Sequence, residues 1–257
     1  MNKTTPEQQA PLRVLIIGSG FAGLGLAMRL RQRGEDDFLI LEKGAEPGGT
    51  WRDNDYPGAA CDVPSHLYSF SFEPKTDWTR RYAPQAEIFA YVRQCIARHD
   101  LARRIRCNSE VAEAWFDEPA ALWRVTTTDG ASFSARALVS ACGQLNRPLY
   151  PNIPGLERFA GASFHSARWR HDVDLTGKRV AVIGTGASAI QFVPQIAAKV
   201  SKLHLFQRTP AYVLPKPDRP YSRFELALMQ RWPWTQKLDR AWQYLFHEAR
   251  GVAFFLL

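Results

Sequence analysis

Cysteine is scarce and shows no pairing pattern. The four residues Cys61, Cys95, Cys107 and Cys142 form no CxxC and no metal-ligand spacing, so neither a redox disulfide nor a bound metal is expected. No apolar run approaches the length needed to span a membrane. The first eleven residues are polar and contain proline, which predicts a disordered lead rather than a signal peptide and makes the cytoplasm the default compartment. A long basic run is also missing. The net charge is +8, but the Arg and Lys residues are dispersed. That argues against nucleic acid as a partner and suits attraction of anionic cofactors. With 257 residues, the chain can bury the core of one large or two ordinary domains.

What is present begins at Leu12. The β-branched run Leu12–Ile17 leads directly into Gly18-x-Gly20-x-x-Gly23, followed by helical spacing (Leu24, Ala27, Met28, Leu30) and a second apolar run, Phe38–Leu41, that ends in Glu42. This is a βαβ unit with its parts in order. Gly18 serves the tight turn, Gly20 lets backbone approach a pyrophosphate, and Gly23 lets helix and strand pack closely. Glu42, about twenty residues past the last glycine, is placed to accept from a ribose hydroxyl pair.

A long stretch dense in Gly, Pro, Tyr and Trp runs from Lys43 to Asp77, and loops of that length inside a domain usually carry function. A helix opens at Pro84 and buries Ile88, Tyr91, Val92, Cys95 and Ile96. Strands are expected over 105–116, 122–128 and 132–140, the last two joined by a Thr128-Asp129-Gly130 turn. Leu138 to Gly143 reads as a buried strand ending in a glycine turn. The proline-rich stretch Asn146 to Gly155 is the best linker. Beyond it the βαβ pattern recurs: a strand over 178–183, the loop Gly184-Thr185-Gly186-Ala187-Ser188, a helix over 190–200, and a strand over 202–206. From Tyr221 the pattern is helical and aromatic. The two copies imply two dinucleotides. The first ends in Glu42, which repels a 2′-phosphate. The second ends in Gln207-Arg208-Thr209, where an arginine suits the 2′-phosphate of NADP. FAD first and NADPH second is the combination this asymmetry suggests, with hydride transfer between them. Lacking a cysteine pair, the chain needs another electron acceptor, and oxygen is the obvious one.

Three further stretches resemble the flavin-dependent Baeyer–Villiger monooxygenases, within the class B flavoprotein monooxygenases. Residues 48–64, GGTWRDNDYPGAACDVP, are similar to that family's GGTWxxNxYPGxxCDxP loop. Phe159-x-Gly161-x-x-x-His165-x-x-x-Trp169 resembles its fingerprint FxGxxxHxxxW, departing only at Arg170, where Pro or Asp is usual. Phe206-Gln207-Arg208-Thr209-Pro210 resembles its FQRTP segment. The resemblance implies an α/β fold with two Rossmann-like dinucleotide-binding domains, the second incomplete and carrying a helical insertion. The divisions expected are a lead over 1–11, an FAD domain over 12–147, the first part of an NADPH domain over 148–220, and the start of the insertion over 221–257. It further implies that Gly18, Gly20, Phe21, Ala22, Gly23, Glu42 and Lys43 hold the FAD adenosine and pyrophosphate. Gly49, Thr50, Trp51, Asp62, Val63 and Tyr68 would lie near the flavin ring. Gly184, Thr185, Gly186, Ala187, Ser188, Arg208 and Thr209 would hold NADPH.

The implied reaction inserts one atom of O2 next to a ketone carbonyl, through a C4a-peroxyflavin, to give an ester or lactone. Asp62 would hold an active-site arginine, and His165, with Trp169, would couple domain movement to turnover. Read without the resemblance, His165 and Trp169 are packing residues and Asp62 caps a turn. Members of that family run to about twice this length and carry the arginine beyond position 257, so the chain is expected to be an N-terminal portion that needs the missing half for a complete site. An N- or S-oxygenating monooxygenase, or a non-catalytic nucleotide-binding fragment, are the alternatives.

Overall fold

The structure is a computed structural model that describes residues 10–210, 213 and 215–256, with side chains through residue 249. The expected lead falls outside the described residues except for Ala10 and Pro11. The chain divides into two compact units, one running to Asp53 and resuming over Val92–Pro148, the other made of Asn54–Tyr91 and Leu149–Leu257. The second break lies inside the expected linker. The first groups residues 54–91 with the second unit rather than with the first glycine loop.

In the first unit, β1 (Leu12–Ile17), α1 (Phe21–Gln32) and β2 (Phe38–Leu41) form the βαβ element. α2 is one short turn, Thr50–Asp53, and α3 spans Gln85–Arg98 across the division. Then come β3 (Ile105–Arg106), β4 (Val111–Asp117), β5 (Leu122–Thr127) and β6 (Ser132–Ser140). The sheet order is β3-β2-β1-β6-β5-β4. β1 pairs in parallel with β2 and β6, while β5 pairs antiparallel with β4 and β6. Leu15, Leu41, Val125 and Ala135 make a fully buried cluster. Leu24, Ala27 and Met28 of α1 are also wholly buried, and each such Leu or Met contributes about 2 kcal/mol.

Two strand expectations are corrected. The run 105–116 is not one strand, because Asn108 adopts a left-handed φ of 52°. There the chain turns to fasten itself beyond β2, with Asn108 N–H donating to the Gly44 carbonyl (2.9 Å) and Ser109 N–H to that of Glu42 (2.8 Å). Leu138–Gly143 is not a separate buried strand. Its first three residues are the end of β6, and Ser140, Cys142 and Gly143 are exposed.

In the second unit, β7 (Arg179–Ile183), α4 (Ala187–Ala197) and β8 (Lys202–Phe206) repeat the βαβ order, with β7 and β8 as a two-stranded parallel sheet. α4 begins three residues earlier than the spacing suggests. Its core joins Val182, Ala189, Phe192 and Ile196 to Tyr56 and Ala59 of the long loop. α5 (Arg223–Arg231) opens on a capping box between Ser222 and Glu225, and α6 spans Pro233–Leu256. Among the described residues, no helix is long and apolar enough to cross a membrane.

Candidate nucleotide sites

The first glycine loop is a turn that no other residue fits. Gly18 has φ +101°, and a Cβ there would stand 2.6 Å from the carbonyl oxygen of Ala141. The turn is fixed from both sides: Gly18 N–H donates to the Leu41 carbonyl and Ala141 N–H to that of Ile17, each at 2.8 Å. α1 then starts at Phe21 with Gly20 as its N-cap and no side-chain cap bond. Phe21, Ala22 and Gly23 form its first turn, where the helix N-terminus and its dipole favour an anion. The Gly48-Gly49 turn closes against this loop. Gly48 N–H donates to the Ser19 carbonyl at 3.1 Å, and a Cβ on Gly20 would lie 3.8 Å from the Gly49 Cα. Gly49, Thr50 and Trp51 are thus brought to the first loop, with Trp51 buried and Thr50 exposed at the start of α2.

Glu42 is the buried acid at the end of β2, and its carboxylate is already fully engaged. One oxygen accepts from the N–H and hydroxyl of Ser19, the other from Gly44 N–H (2.8 Å) and Arg52 Nη1 (2.9 Å). Burial pushes this carboxyl up, but the hydrogen bonds from Ser19, Gly44 and Arg52 outweigh it and hold it below its ordinary value. Burial likewise opposes charge on Arg52, and its bonds to Asp53 and Glu42 outweigh that and raise its pKa. Neither Ser19 nor Arg52 carried a signal in the sequence. Lys43 is exposed, its Nζ 3.4 Å from the Asn146 side-chain oxygen.

The second loop has the same form in a more open setting. Gly184 has φ +102°, and nothing lies within 4 Å of a Cβ at Gly184 or Gly186. Gly186 is the N-cap of α4, again without a side-chain cap bond. Gly184 N–H donates to the Phe206 carbonyl at 2.9 Å, so Arg208 and Thr209, both exposed, follow directly from the strand end that borders the loop. Both loops therefore fit a nucleotide diphosphate: capless helix ends, positive-φ glycines and room for backbone approach.

The residues expected around a flavin ring are divided between the units. Asp62, Val63 and Tyr68 stand in the second, away in sequence from the Gly49–Trp51 turn. Asp62 is exposed, and its Oδ1 accepts from Gln191 Nε2 of α4 at 3.0 Å and lies 3.6 Å from Lys216 Nζ. Lys216 also donates to the Cys61 carbonyl (3.3 Å). A cation thus faces Asp62 within this chain, which no motif indicated. The neighbouring Cys61 thiol is pushed up to about 11 by burial and stays protonated near neutrality. His165 is a structural cap here: its Nδ1 accepts from Ala167 N–H at 3.0 Å, and its ring meets Tyr150 edge-on. Trp169 packs on Phe192 of α4, with ring centres 5.2 Å apart.

A buried polar cluster ties α6 to the long loop. His66, wholly buried, has Nδ1 3.0 Å from Gln236 Nε2, and its Nε2 is 3.6 Å from Asp239 without a hydrogen bond. Burial, reinforced by Arg240, Lys75 and Arg81, lowers the His66 pKa to about 4. The Tyr221 hydroxyl donates to Asp239 (3.2 Å), and Arg240 donates to the His66 carbonyl.

The family described as pyridine nucleotide-disulphide oxidoreductase matches residues 15–222. The chain is 52% identical over 250 residues to a Baeyer–Villiger monooxygenase of Pseudomonas aeruginosa, an alignment covering 97% of this chain and 47% of that protein. It is 51% identical over 243 residues to one of Streptomyces coelicolor, covering 95% and 47%. A steroid monooxygenase structure bound to NADP superposes with a TM-score of 0.80 at 42% identity, over 86% of this chain and 43% of that one. A closed cyclohexanone monooxygenase structure does so at 0.83 and 35%, over 92% and 44%. The chain spans about half the length of the curated relatives it matches. With both glycine loops inside the matched span, the chain belongs to the pyridine nucleotide-disulphide oxidoreductase family.

Proposed function

We propose that this chain binds FAD at the first glycine loop and NADPH at the second, and serves a Baeyer–Villiger monooxygenase. The observation that carries the reading is the asymmetry of two capless loops, one ending in a buried acid and one in Gln207-Arg208-Thr209, in a chain about half identical to two such enzymes. The chemistry supplied by the bound cofactors is hydride transfer from nicotinamide to flavin and reduction of O2, one atom of which enters beside a ketone carbonyl.

This chain's residues bind and orient. The backbone of Gly18 to Gly23 receives the FAD pyrophosphate, and Glu42, held ionised by Ser19 and Gly44, meets the adenosine ribose by exchanging one of its present partners. Lys43 lies beside it. The first turn of α4, from Gly184 to Ser188, receives the NADPH pyrophosphate, while Arg208 and Thr209 take its 2′-phosphate by charge-assisted hydrogen bonds. Asp62 holds a cation for the developing negative charge. Turnover needs sequence corresponding to the other half of the relatives. Support for that comes from the sheet: Ile183, Leu205 and Phe206 on β7 and β8 are about half exposed, although parallel strands are normally covered on both faces.

The test is the visible spectrum of the desalted chain, followed by assay with NADPH and a cyclic ketone, alone and with a chain carrying the other half. Flavin bands near stoichiometric, with lactone formed in the complemented mixture, are expected. A folded chain that binds no FAD refutes the reading. Oxygenation of an amine or sulfide in place of the ketone moves it to the heteroatom class.

A further inference from the structure

Gln191 lies in the second turn of α4, and a single loop fills every hydrogen-bonding position of its amide. Oε1 accepts from the Tyr56 hydroxyl at 3.0 Å and from Ala60 N–H at 3.1 Å, while Nε2 donates to the Ala60 carbonyl and to Asp62 Oδ1, both at 3.0 Å. A primary amide has two protons and two acceptor positions, so none is left over. The two bonds with Ala60 reproduce what a neighbouring strand would make. The surfaces are shaped for this approach. Gly58 has φ +80°, and a Cβ on it would stand 2.8 Å from the Gln191 carbonyl oxygen. The next residue, Phe192, meets Tyr56 edge-on with ring centres 6.1 Å apart. An unbroken series therefore runs from Tyr56 through Gln191 to Asp62.

We infer that Gln191 is a positioning residue that fixes the Asp62 carboxylate to the helix whose N-terminus forms the second nucleotide loop, so that filling the loop is felt at Asp62. The inference rests on reading that loop as the NADPH site. Gln191 follows directly on the first turn of α4, so a phosphate drawn onto that turn acts on the segment whose amide holds Tyr56, Ala60 and Asp62.

Hydrogen exchange on the full chain tests this, with NADP+ as the probe. Adding NADP+ to the wild type is expected to change exchange over 56–63 as well as over 184–189. Gln191→Glu removes both donated bonds and sets a carboxylate against Asp62, so exchange over 56–63 rises roughly thirtyfold, as loss of about two net hydrogen bonds requires. The NADP+ effect there disappears while that at 184–189 remains. Adding Asp62→Asn supplies an amide donor to the new carboxylate and restores the loop, with Lys216 unchanged throughout. A merely structural glutamine gives no such rescue. Gln191→Met, of similar length without polar atoms, loosens the loop equally and is not rescued by Asp62→Asn. Wild-type exchange over 56–63 in both variants, or failure of the double variant to restore it, overturns the inference. If NADP+ leaves 184–189 unchanged in the wild type, the NADPH reading fails, and the two Gln191 variants alone decide the positioning role.

Discussion

Replacing Arg52 by methionine should be among the most damaging single changes in the first unit, because it strands a buried carboxylate. The Arg52 and Glu42 side chains are 13% and 5% exposed, with Nη1 2.9 Å from Oε1. At an effective dielectric of about 20 the direct attraction is about 6 kcal/mol. Two effects offset part of it: Glu42 keeps its bonds from Ser19 and from Gly44 N–H, and the variant no longer buries a guanidinium. Breaking one partner of a buried pair costs about 3–5 kcal/mol, and the three remaining donors place this case at the lower end, about 3 kcal/mol. Urea unfolding at pH 7, compared at equal m-value, measures it. The pH dependence has a definite sign. The folded-state pKa of Glu42 is held below the ordinary 4.5, so its contribution is present above that value and lost as pH falls through the folded pKa. The gap between wild type and Arg52→Met must therefore narrow in acid. A loss under about 1 kcal/mol at pH 7, or a gap undiminished in acid, refutes the argument.

Three other outcomes are expected. His66 is buried neutral with a folded pKa of about 4 against an ordinary 6.5, so stability should fall by up to about 3 kcal/mol as pH drops through that window, and His66→Gln should flatten the profile seen by denaturant titration. Gly18→Ala sets a methyl 2.6 Å from the Ala141 carbonyl oxygen, whereas Gly184→Ala, at nearly the same φ, meets open space. The first should lower the urea midpoint markedly and abolish FAD binding, and the second should lower it less while still weakening NADP+ binding. Arg208→Ala should weaken NADP+ about 10- to 100-fold by titration calorimetry, the loss of a charge-assisted contact, with little change for NAD+. Equal losses for the two nucleotides would remove Arg208 from the 2′-phosphate.

Both glycine loops were legible because the signal is local: an apolar strand, glycines at fixed offsets and an apolar helix face occupy one short stretch. The break at Asn108 was not, since it is set by carbonyls beyond β2 some sixty residues earlier. The membership of residues 54–91 in the second unit was hidden for the same reason. A loop rich in Gly, Pro and aromatics carries no periodicity, and its anchors on α4, Gln191 and Phe192, lie more than a hundred residues downstream. At the sites, types and offsets indicated Gly18, Glu42, Gly184 and Arg208. They could not indicate Arg52, Lys216 or Gln191, whose roles depend on where a long side chain ends up.

β6 belongs to two pairings at once. Its first residues run antiparallel to β5 and its later ones parallel to β1, with Ala135 in register with both Trp123 and Leu12. During synthesis, β1 therefore waits roughly 120 residues for the strand that completes it, on the order of ten seconds of elongation. Ala141, whose N–H donates to the Ile17 carbonyl beside the Gly18 turn, arrives just after β6 ends. Closing so long a loop costs about 4 kcal/mol of chain entropy, which the parallel ladder between β1 and β6 has to repay. The first glycine loop is thus one of the last features of its unit to be completed, and a nascent chain stalled before residue 140 would have the glycine motif without the strand end and the Ala141 bond that hold it.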